Sequence, residues 1–562
     1  MRTIVTILCV LSTLVSLAKK KQDSIVISNN SGLYTSSFQL ILSNNGSEDI
    51  LFSLDGTYPK VKYSNSIEIS NTTTLRCRIK NTSTEWIRNF IFLNRKQTLP
   101  VVCLTVSPSD LFDSTYGIYA KGRNAQPDPP YLGANFHKDW ERKGYIEFID
   151  TNNNVKISQY IGLKIFGQFS AMLPQKSFSI HARKKYGNKR INYKVFGDLP
   201  YKKYKSIILR NSGSDYCNSH FRDIMMTSLV KSFNLDVQAY QPSIVFLNGE
   251  YWGLYHLREK INEHFIKLHY NVDKDSIAIL KHRGDVQHYG RVNYKSMLRF
   301  ISKTDFSSNK QIDSLSKLMD IDNYLDYNIA QVYFNNIDAG GNIRYWRHRK
   351  DGSVWRWILF DTDFGFGLRK GNDVDENTLL KFTTKSSEKW PSPAWSTLII
   401  RKLLENDSIK NIYIKKITYY LNTTFSPYTV KNHIYNIEKK LSDEMPFHFK
   451  RWKRRINIWE KEKKVVYDFG LNRATFMKNH MRIKFDLDTF YSLKIKYNEG
   501  GKVRLDEYEV ETGYNGYYFK NYPHSIRAIP DFGYSLRSWK GNLNSTNTRE
   551  ILNVSQPSTI VG

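Results

Sequence analysis

The chain of 562 residues carries a formal net charge of +30, from 83 lysine and arginine residues against 53 aspartate and glutamate residues. At about 150 residues per domain, this length predicts three or four domains rather than a single core. The basic residues are spread along the chain instead of clustering, which argues against a dedicated nucleic-acid site. Such a surface would still attract acidic substrates, nucleotides or an anionic cell-surface polymer.

Residues 1–18 have the pattern of a signal peptide. Arg2 precedes an apolar run, and Ser16-Leu17-Ala18 is a small-x-small cleavage sequence ahead of three lysines. We therefore expect an exported mature protein, periplasmic, surface-bound or secreted, and without a transmembrane segment. Cys9 would leave with the signal peptide, and the remaining three cysteines are too scattered for a disulfide framework or a zinc site.

Residues 19–95 alternate short β-type runs with Asn, Ser and Gly turns, which predicts a small β-sandwich. Asp55-Gly56 is a typical hairpin-turn sequence. The segment Leu51-Phe-Ser-Leu-Asp-Gly-Thr-Tyr-Pro59, followed by Tyr63, resembles the β-module at the C-terminus of chitobiases and hexosaminidases. That resemblance implies a spacer or accessory role without catalysis.

Residues 96–485 mix strand-like runs with helical periodicity, which predicts an α+β domain. Residues 486–562 return to β-type runs, and the chain after Gly541 is expected to form a loose terminus. Gly533-Tyr-Ser-Leu-Arg-Ser-Trp539 resembles the end of an internalin-type surface repeat. The predicted fold is therefore multidomain, with a central α+β domain between small all-β modules.

Two glycine-broken turns of the central domain carry candidate metal ligands. Asp361 and Asp363 follow an apolar run that predicts a buried strand, and Asp338 and Asn342 lie on a turn upstream. Carboxylate and carboxamide oxygens suit Mg²⁺ or Mn²⁺ held against phosphate. The pattern predicts a metal-dependent phosphate-transfer site, with Asp361 as the preferred metal ligand, Asp363 as the second, and Asn342 beside them.

Six short segments of the central domain occur in a characteristic order: 162–170 (GLKIFGQFS), 174–178 (PQKSF), 209–215 (LRNSGSD), 221–223 (FRD), 246–255 (FLNGEYWGLY) with 258–260 (REK), and 361–367 (DTDFGFG). In this order they resemble the spore-coat-protein-H (CotH) kinase family over residues 96–485. The resemblance implies an atypical protein-kinase-like fold. It also implies an activity: transfer of the γ-phosphate of ATP to Ser or Thr of exported proteins.

Phosphoryl transfer needs a cation on the phosphates, a metal held by Asp or Asn, and a carboxylate near the acceptor hydroxyl. The family motif makes Lys176 the predicted phosphate-binding lysine, and Glu259 is the carboxylate predicted to orient it. Asp338 is predicted to accept or orient the proton of the acceptor hydroxyl.

Further contacts with the nucleotide are predicted around two turns. Gly167 and Ser170 are predicted to form a backbone loop over the phosphates. Arg210 and Asp215 bracket a Gly-Ser turn and are predicted to contact the nucleotide or brace the site. Arg222-Asp223 begins a predicted helix and is interpreted as a structural ion pair.

The turn 338–342 is shorter than the family pattern, because it lacks a Pro and one of two successive Asn. Two other functions therefore stay open beside an exported kinase. One is a non-catalytic surface protein with a degenerate kinase-like core. The other is a sugar-nucleotide transferase in which Asp361-Thr-Asp363 is the metal-binding D-x-D sequence. A nuclease is disfavoured, because no His or Lys general base lies beside the carboxylates.

Overall fold

The computed structural model describes residues 24–290, 292–369, 371, 373–385 and 390–562. The predicted signal peptide, residues 1–18, lies outside the described residues. The chain forms two compact units, one up to Lys96 together with 248–250, and one comprising 97–247 with 251–562. Within the described part of the chain, no helix is both long and apolar enough to cross a membrane.

The described part of the N-terminal unit, from residue 24 onward, is built from nine short strands around a small apolar core. A five-stranded sheet has the order β2-β9-β8-β5-β6, and β1-β4 and β3-β7 form two-stranded pairs. Asp55-Gly56 lies within the seven-residue connection 54–60 between β5 and β6, so it is not a two-residue hairpin. The strands are β1 Ile25–Ile27, β2 Gly32–Tyr34, β3 Phe38–Leu40, β4 Leu42–Asn44, β5 Ile50–Ser53, β6 Val61–Lys62, β7 Ile67–Ile69, β8 Thr73–Ile79 and β9 Glu85–Phe92.

The second unit begins with a closed barrel of order β10-β11-β12-β13-β16-β19-β18. Its first strand is the apolar run Val101–Val106, of which every residue is buried. A parallel pairing of β10 with β18 closes the barrel. The strands of this region are β10 Val101–Val106, β11 Arg142–Ile149, β12 Val155–Phe166, β13 Ser177–His181, β14 Ile191–Asn192, β15 Lys203–Tyr204, β16 Ser206–Arg210, β17 Asp236–Val237, β18 Tyr240–Leu247 and β19 Glu250–Glu259.

A second sheet of order β17-β23-β22-β20-β21 follows, with helices around it. Its remaining strands are β20 Ile277–Lys281, β21 Asp285–His288, β22 Arg344–His348 and β23 Arg356–Leu359. The helices are α1 Pro108–Phe112, α2 Arg222–Leu229, α3 Glu263–Tyr270, α4 Val292–Lys303, α5 Asn309–Ser316, α6 Ile321–Phe334, α7 Thr378–Thr383, α8 Leu398–Leu403, α9 Asp407–Asn422, α10 Pro427–Leu441, α11 Met445–Arg451 and α12 Ile456–Phe485.

Helix α6 delivers the first acidic turn of the predicted site. It begins at the N-cap Asp320, whose side chain accepts a hydrogen bond from Asn323 N, and almost all of its residues are buried. It ends at Asn335, which adopts the left-handed conformation with φ +48°. The chain therefore turns sharply at this point and reaches residues 336–342 before β22.

The C-terminal residues form two four-stranded sheets around one apolar core that includes Leu493, Val503 and Ile560. The loose terminus predicted after Gly541 is not observed, because β30 pairs with β28 and β31 pairs in parallel with β24. The strands are β24 Phe490–Lys496, β25 Gly501–Leu505, β26 Tyr508–Val510, β27 Tyr514–Phe519, β28 Pro523–Pro530, β29 Lys540–Gly541, β30 Arg549–Asn553 and β31 Ser558–Val561.

The predicted mixture of a central region of helices and sheets with all-β ends is therefore confirmed. The predicted boundaries at 95/96 and 485/486 stay predictions.

Candidate active-site cleft

A cleft of about 900 Å³ is lined by the barrel, by the second sheet and by both predicted acidic turns. Side chains of β12, β13, β16 and β19 line the cleft from the outer face of the barrel. On β13, the inward-facing side chains of Phe178 and Ile180 are buried in the barrel core. The polar groups that line the cleft include Lys164, Ser179, Arg210, Ser214, Arg258, Lys260, Lys281, Asp139, Asp338, Asn342, Arg344, Asp361 and Asp363.

Asp361 and Asp363 lie on a tight turn just after β23. Asp361 has φ +55°, in the left-handed region that a non-glycine residue adopts at a cost. Asp223, in the first turn of α2, holds the turn from the protein interior. Its Oδ1 accepts hydrogen bonds from Thr362 N at 3.0 Å and from Thr362 Oγ1 at 3.2 Å. The buried Asp223 carboxylate therefore fixes the direction of the two aspartates that flank Thr362.

Two arginines balance the negative charge of this turn and of Asp223, which supports it. The Nη2 atom of Arg210 forms an ion pair with Asp361 and lies 3.6 Å from Oδ2 of Asp363. Its Nε lies 3.5 Å from Oδ2 of Asp223, which also pairs with Arg258 Nη1 at 2.6 Å. The turn is thus held by an ion-pair network that reaches from the barrel strands β16 and β19 to the end of β23.

Burial and mutual repulsion raise the pKa of two carboxyl groups in the cleft. Burial raises the pKa of Asp363 well above its usual range, and the neighbouring charge of Asp361 raises it further. Burial also raises the pKa of Asp338 to about 6, again with a contribution from Asp361. Burial and mutual repulsion thus oppose ionisation of these two carboxyl groups, and a nearby cation would favour their charged forms.

The acidic turn at 338–342 contacts the acidic turn at 361–363. Asn342 Nδ2 donates hydrogen bonds to Asp338 Oδ2 at 2.7 Å and to the carbonyl oxygen of Asp361 at 3.4 Å. The turn closes on itself, since the backbone N–H groups of Gly341 and Asn342 both donate to the carbonyl oxygen of Asp338. The structure therefore brings together all four residues that the sequence predicted as the metal site and its neighbouring acid.

The donor set of this cluster consists of carboxylate and carboxamide oxygens, which by their chemistry fit a hard divalent cation. Within the described residues, no three His, Cys, Asp or Glu side chains are already arranged to coordinate a metal ion. Arg210 instead supplies the positive charge next to Asp361 and Asp363. The cluster thus has the chemistry of a divalent-cation site, with a guanidinium at its edge.

Comparison with protein-family models matches residues 163–477 to the CotH kinase protein family, which is more than half of the chain. The chain belongs to the CotH kinase family. It is thus a kinase-like protein, and residues 29–85 match the chitobiase/beta-hexosaminidase C-terminal domain. No curated protein matches the chain. The predicted family and N-terminal module are confirmed, whereas the internalin-type C-terminal repeat stays a prediction.

The kinase-like pair predicted from Lys176 and Glu259 is not formed. Lys176 Nζ donates to the carbonyl oxygens of Ala171 at 2.7 Å and Leu173 at 2.9 Å, so the ammonium group is used within its own loop. Burial lowers the pKa of Lys176 to about 8. Glu259 accepts hydrogen bonds from Tyr201 Oη at 2.6 Å and from Ala239 N at 3.0 Å. Neither side chain is among those that line the cleft, and the predicted catalytic roles of both stay predictions.

Lys260 is the cleft lysine that the sequence prediction missed. Its Nζ donates to Ser179 Oγ at 2.9 Å and forms no ion pair with a described carboxylate. Burial lowers the pKa of Lys260 to about 8, and the nearby charge of Lys164 contributes. Side chains of a strand alternate between its two faces. Continued from β19, this alternation places Lys260 on the same side as Arg258 and opposite to Glu259, and it could have indicated that Lys260 faces the cleft.

Arg344 is a second cation that the sequence prediction missed. It begins β22, is half-buried, and its guanidinium lies 4.3 Å from the ring centre of Phe360. Burial lowers the pKa of Arg344 to about 10, while Asp361 acts in the opposite direction. No motif marks it, because its place in the cleft depends on the pairing of β22 with β23.

The remaining predicted nucleotide contacts divide into two groups. Gly167 and Ser170 line the cleft, and a Cβ on Gly167, where φ is +107°, would lie 2.4 Å from Ser170 Oγ. Asp215 is fully buried away from the cleft and pairs with Arg222 Nη1 at 2.6 Å. Arg222 therefore does not pair with the adjacent Asp223, and the ion pair predicted between these two neighbours is replaced by two separate pairs.

Proposed function

We propose that this protein is an atypical protein kinase that transfers the γ-phosphate of ATP to Ser or Thr of an exported protein, with Mg²⁺ or Mn²⁺ as the metal. The observation that carries the proposal is the convergence of two separated acidic turns in one cleft. Asn342 Nδ2 reaches both Asp338 and the backbone of Asp361. Cations without a carboxylate partner, such as Lys260, line the same cleft.

In this proposal Asp361, Asp363 and Asn342 hold the divalent cation, which would neutralise negative charge on the phosphates when bound. Lys260, rather than Lys176, binds a phosphate oxygen through its ammonium group. Arg344 faces the phosphates from the second sheet.

Asp338 takes the proton of the acceptor hydroxyl. A pKa raised to about 6 leaves its carboxylate mostly ionised at neutral pH while keeping it a useful base. Gly167 and Ser170 form a loop at the rim of the cleft, where backbone N–H groups would contact the phosphates.

We further propose that the chain is exported and acts outside the cytoplasm. The N-terminal module of chitobiase/hexosaminidase type is consistent with an extracellular protein, and the predicted signal peptide supports the same location. The acceptor would then be another exported or surface protein.

A non-catalytic, pseudokinase function is the second candidate, and one observation favours it. Arg210 already forms an ion pair with Asp361 and lies within 4 Å of Asp363, so a metal would have to compete with it. In that case the kinase-like core would serve as a binding scaffold for a surface protein.

Calorimetric titration of the full chain with ATP, with and without Mg²⁺ or Mn²⁺, separates the two candidates. Metal-dependent ATP binding and transfer of labelled γ-phosphate to protein support the kinase. Asp361→Asn should lower transfer by on the order of 100-fold or more, the usual effect of removing one charge-stabilising group. The matched control is Asp468→Asn, on the exposed face of α12. Undiminished transfer in Asp361→Asn would reject the site, and absence of nucleotide binding would favour the pseudokinase.

A further inference from the structure

The connection between β13 and β16 is the most strongly basic part of the cleft-bearing unit. Residues 183–205, here called the basic segment, contain nine lysine or arginine residues and a single acidic residue. Four buried side chains anchor the segment in the barrel core: Ile191, Val195, Phe196 and Tyr204. The lysines between these anchors are exposed, so the segment is a fixed surface rather than a free tail.

Few carboxylates neutralise the basic segment. Glu141 binds Arg183 at 2.7 Å and Lys185 at 3.1 Å. Asp198, the one acidic residue of the segment, pairs with Lys231, which lies outside it. The other seven cations form no ion pair with a described residue: Lys184, Lys189, Arg190, Lys194, Lys202, Lys203 and Lys205.

These cations are close to one another in space. Burial lowers the pKa of Lys205, and the charges of Arg190, Arg183 and Lys189 lower it further. Arg190 and Lys205 also act, after burial, to lower the pKa of His264 on α3. The antiparallel pairing of β14 with β15 sets Ile191 opposite Tyr204 and Asn192 opposite Lys203, so the basic residues next to these strands form one patch.

The patch continues into the candidate active-site cleft along β13. Ser179, which binds Lys260, lines the cleft, and Arg183 follows four residues later, roughly 13 Å along an extended strand. Burial lowers the pKa of His181, which lies between them, to about 3, and the charges of Lys260 and Arg183 contribute to that shift. Lys260 at the cleft and Arg183 at the start of the basic segment thus both lie near the neutral His181 on β13.

We propose that the basic segment is the docking site for an acidic segment of the protein substrate, which leads the acceptor hydroxyl along β13 into the cleft. This inference rests on the proposed kinase function. Its chemistry is charge complementarity between exposed lysines and a run of Asp or Glu side chains, which steers association and sets partner choice.

A polypeptide fits this surface better than a nucleic acid does. Binding of single strands uses exposed aromatic faces on which bases stack. The aromatic rings of the segment are engaged instead, since Tyr204 is buried and Tyr186 donates to Glu141 Oε1 while Lys185 lies over its ring.

The binding test uses a fluorescent oligoglutamate peptide and the full chain. The basic-segment variant carries Lys189→Gln, Arg190→Gln, Lys194→Gln, Lys202→Gln and Lys203→Gln. The control variant removes the same charge from helices α10 and α12 through Lys431→Gln, Lys439→Gln, Lys461→Gln, Lys464→Gln and Arg482→Gln. We expect Kd to rise on the order of tenfold in the first variant and little in the control, with strong salt dependence. Equal losses in both variants, or equally tight binding of duplex DNA or RNA to the wild type, would overturn the proposal.

The kinetic test compares serine peptides with and without an oligoglutamate extension. The extension should lower KM for the peptide in the wild type and in the control, but not in the basic-segment variant, with KM for ATP unchanged. Peptide transfer that is indifferent to the extension would overturn the docking site while leaving the kinase intact. If no variant transfers phosphate but oligoglutamate binding still distinguishes the two variants, the proposed function fails and the docking surface stands.

Discussion

Asp223 is predicted to be the structural support of the acidic turn at 361–363, although it touches neither of the aspartates proposed to bind metal. Asp223→Ala would remove the acceptor for Thr362 N and Thr362 Oγ1 and leave Arg258, which is fully buried, without its carboxylate. Breaking a buried ion pair by removing one partner costs about 3–5 kcal/mol. Asp223→Asn keeps an oxygen that can accept from Thr362 N and should cost about 1.5–3 kcal/mol, the usual range for a hydrogen bond to a charged group.

The pKa of Asp223 provides a second measure of the same interaction. Burial opposes its ionised form, yet the charges of Arg258 and Arg210 outweigh burial and lower the pKa from 3.8 to about 2. At 1.36 kcal/mol per unit, this shift corresponds to about 2 kcal/mol of stability, present above about pH 4 and lost as the pH falls towards 2. This value lies within the range expected for Asp223→Asn and below the range expected for Asp223→Ala.

Urea unfolding at neutral pH, followed by far-UV circular dichroism, measures both variants against the wild type. The exposed Asp468→Asn serves as the control and should change the unfolding free energy by less than about 0.5 kcal/mol. Mn²⁺-dependent ATP binding, measured in the same preparations, should be weaker in Asp223→Asn even under conditions where the variant is fully folded. An Asp223→Ala protein with wild-type stability and unchanged metal-dependent binding would show that the turn does not depend on this carboxylate.

Three further predictions follow from buried cationic and imidazole groups. Lys260→Met should weaken ATP binding by at least about tenfold in calorimetry, because the cleft loses the ammonium group that we propose to bind a phosphate. Lys176→Met should leave that affinity unchanged and lower the urea midpoint, since Lys176 Nζ holds two backbone carbonyl groups. Burial lowers the pKa values of His220, His256 and His448, so these imidazoles stay neutral in the folded protein. Acidification below pH 6.5 should therefore lower the unfolding free energy by about 1.4 kcal/mol per pH unit for each of them. The acid slope should be smaller in His448→Gln, and an equal slope would contradict this assignment.

The acidic turns could be predicted from the sequence because their signals are local. An apolar strand followed by Asp361, Asp363 and glycines encodes both the position and the chemistry of the turn within a few residues. Local signals do not show which of Glu259 and Lys260 faces the cleft, because neighbouring residues of a strand face opposite sides. Only the position of β19 in the barrel decides which of the two sides meets the cleft.

Non-local pairings account for the rest of what the sequence did not predict. The chain after Gly541 has few long apolar runs, yet residues 558–561 pair in parallel with β24, more than sixty residues earlier. Barrel closure likewise depends on the pairing of β10 with β18 across about 140 residues. Short strands gain most of their stability from such partners, and local propensity does not identify the partner.

The shortened turn at 338–342 is weaker evidence for a pseudokinase than the sequence suggested. Gly340 and Gly341 are needed there, because a Cβ on either would lie 2.5 Å from Pro391 O or from the Trp390 ring. With that close packing, Asn342 still reaches Asp338 at 2.7 Å, so the missing residues do not displace it.

The feature that bears more directly on this choice is the guanidinium of Arg210. It pairs with Asp361 and lies near Asp363, while Asp223 and the β16 strand hold its other end. A metal ion that enters must compete with the Arg210 guanidinium for Asp361 and Asp363. It binds there only if its attraction to both carboxylates and to the phosphates together exceeds that of the guanidinium already in place. Metal-dependent nucleotide binding therefore tests directly whether a metal can displace the guanidinium. A scaffold protein that binds no nucleotide would lack the phosphates that help the metal to do so.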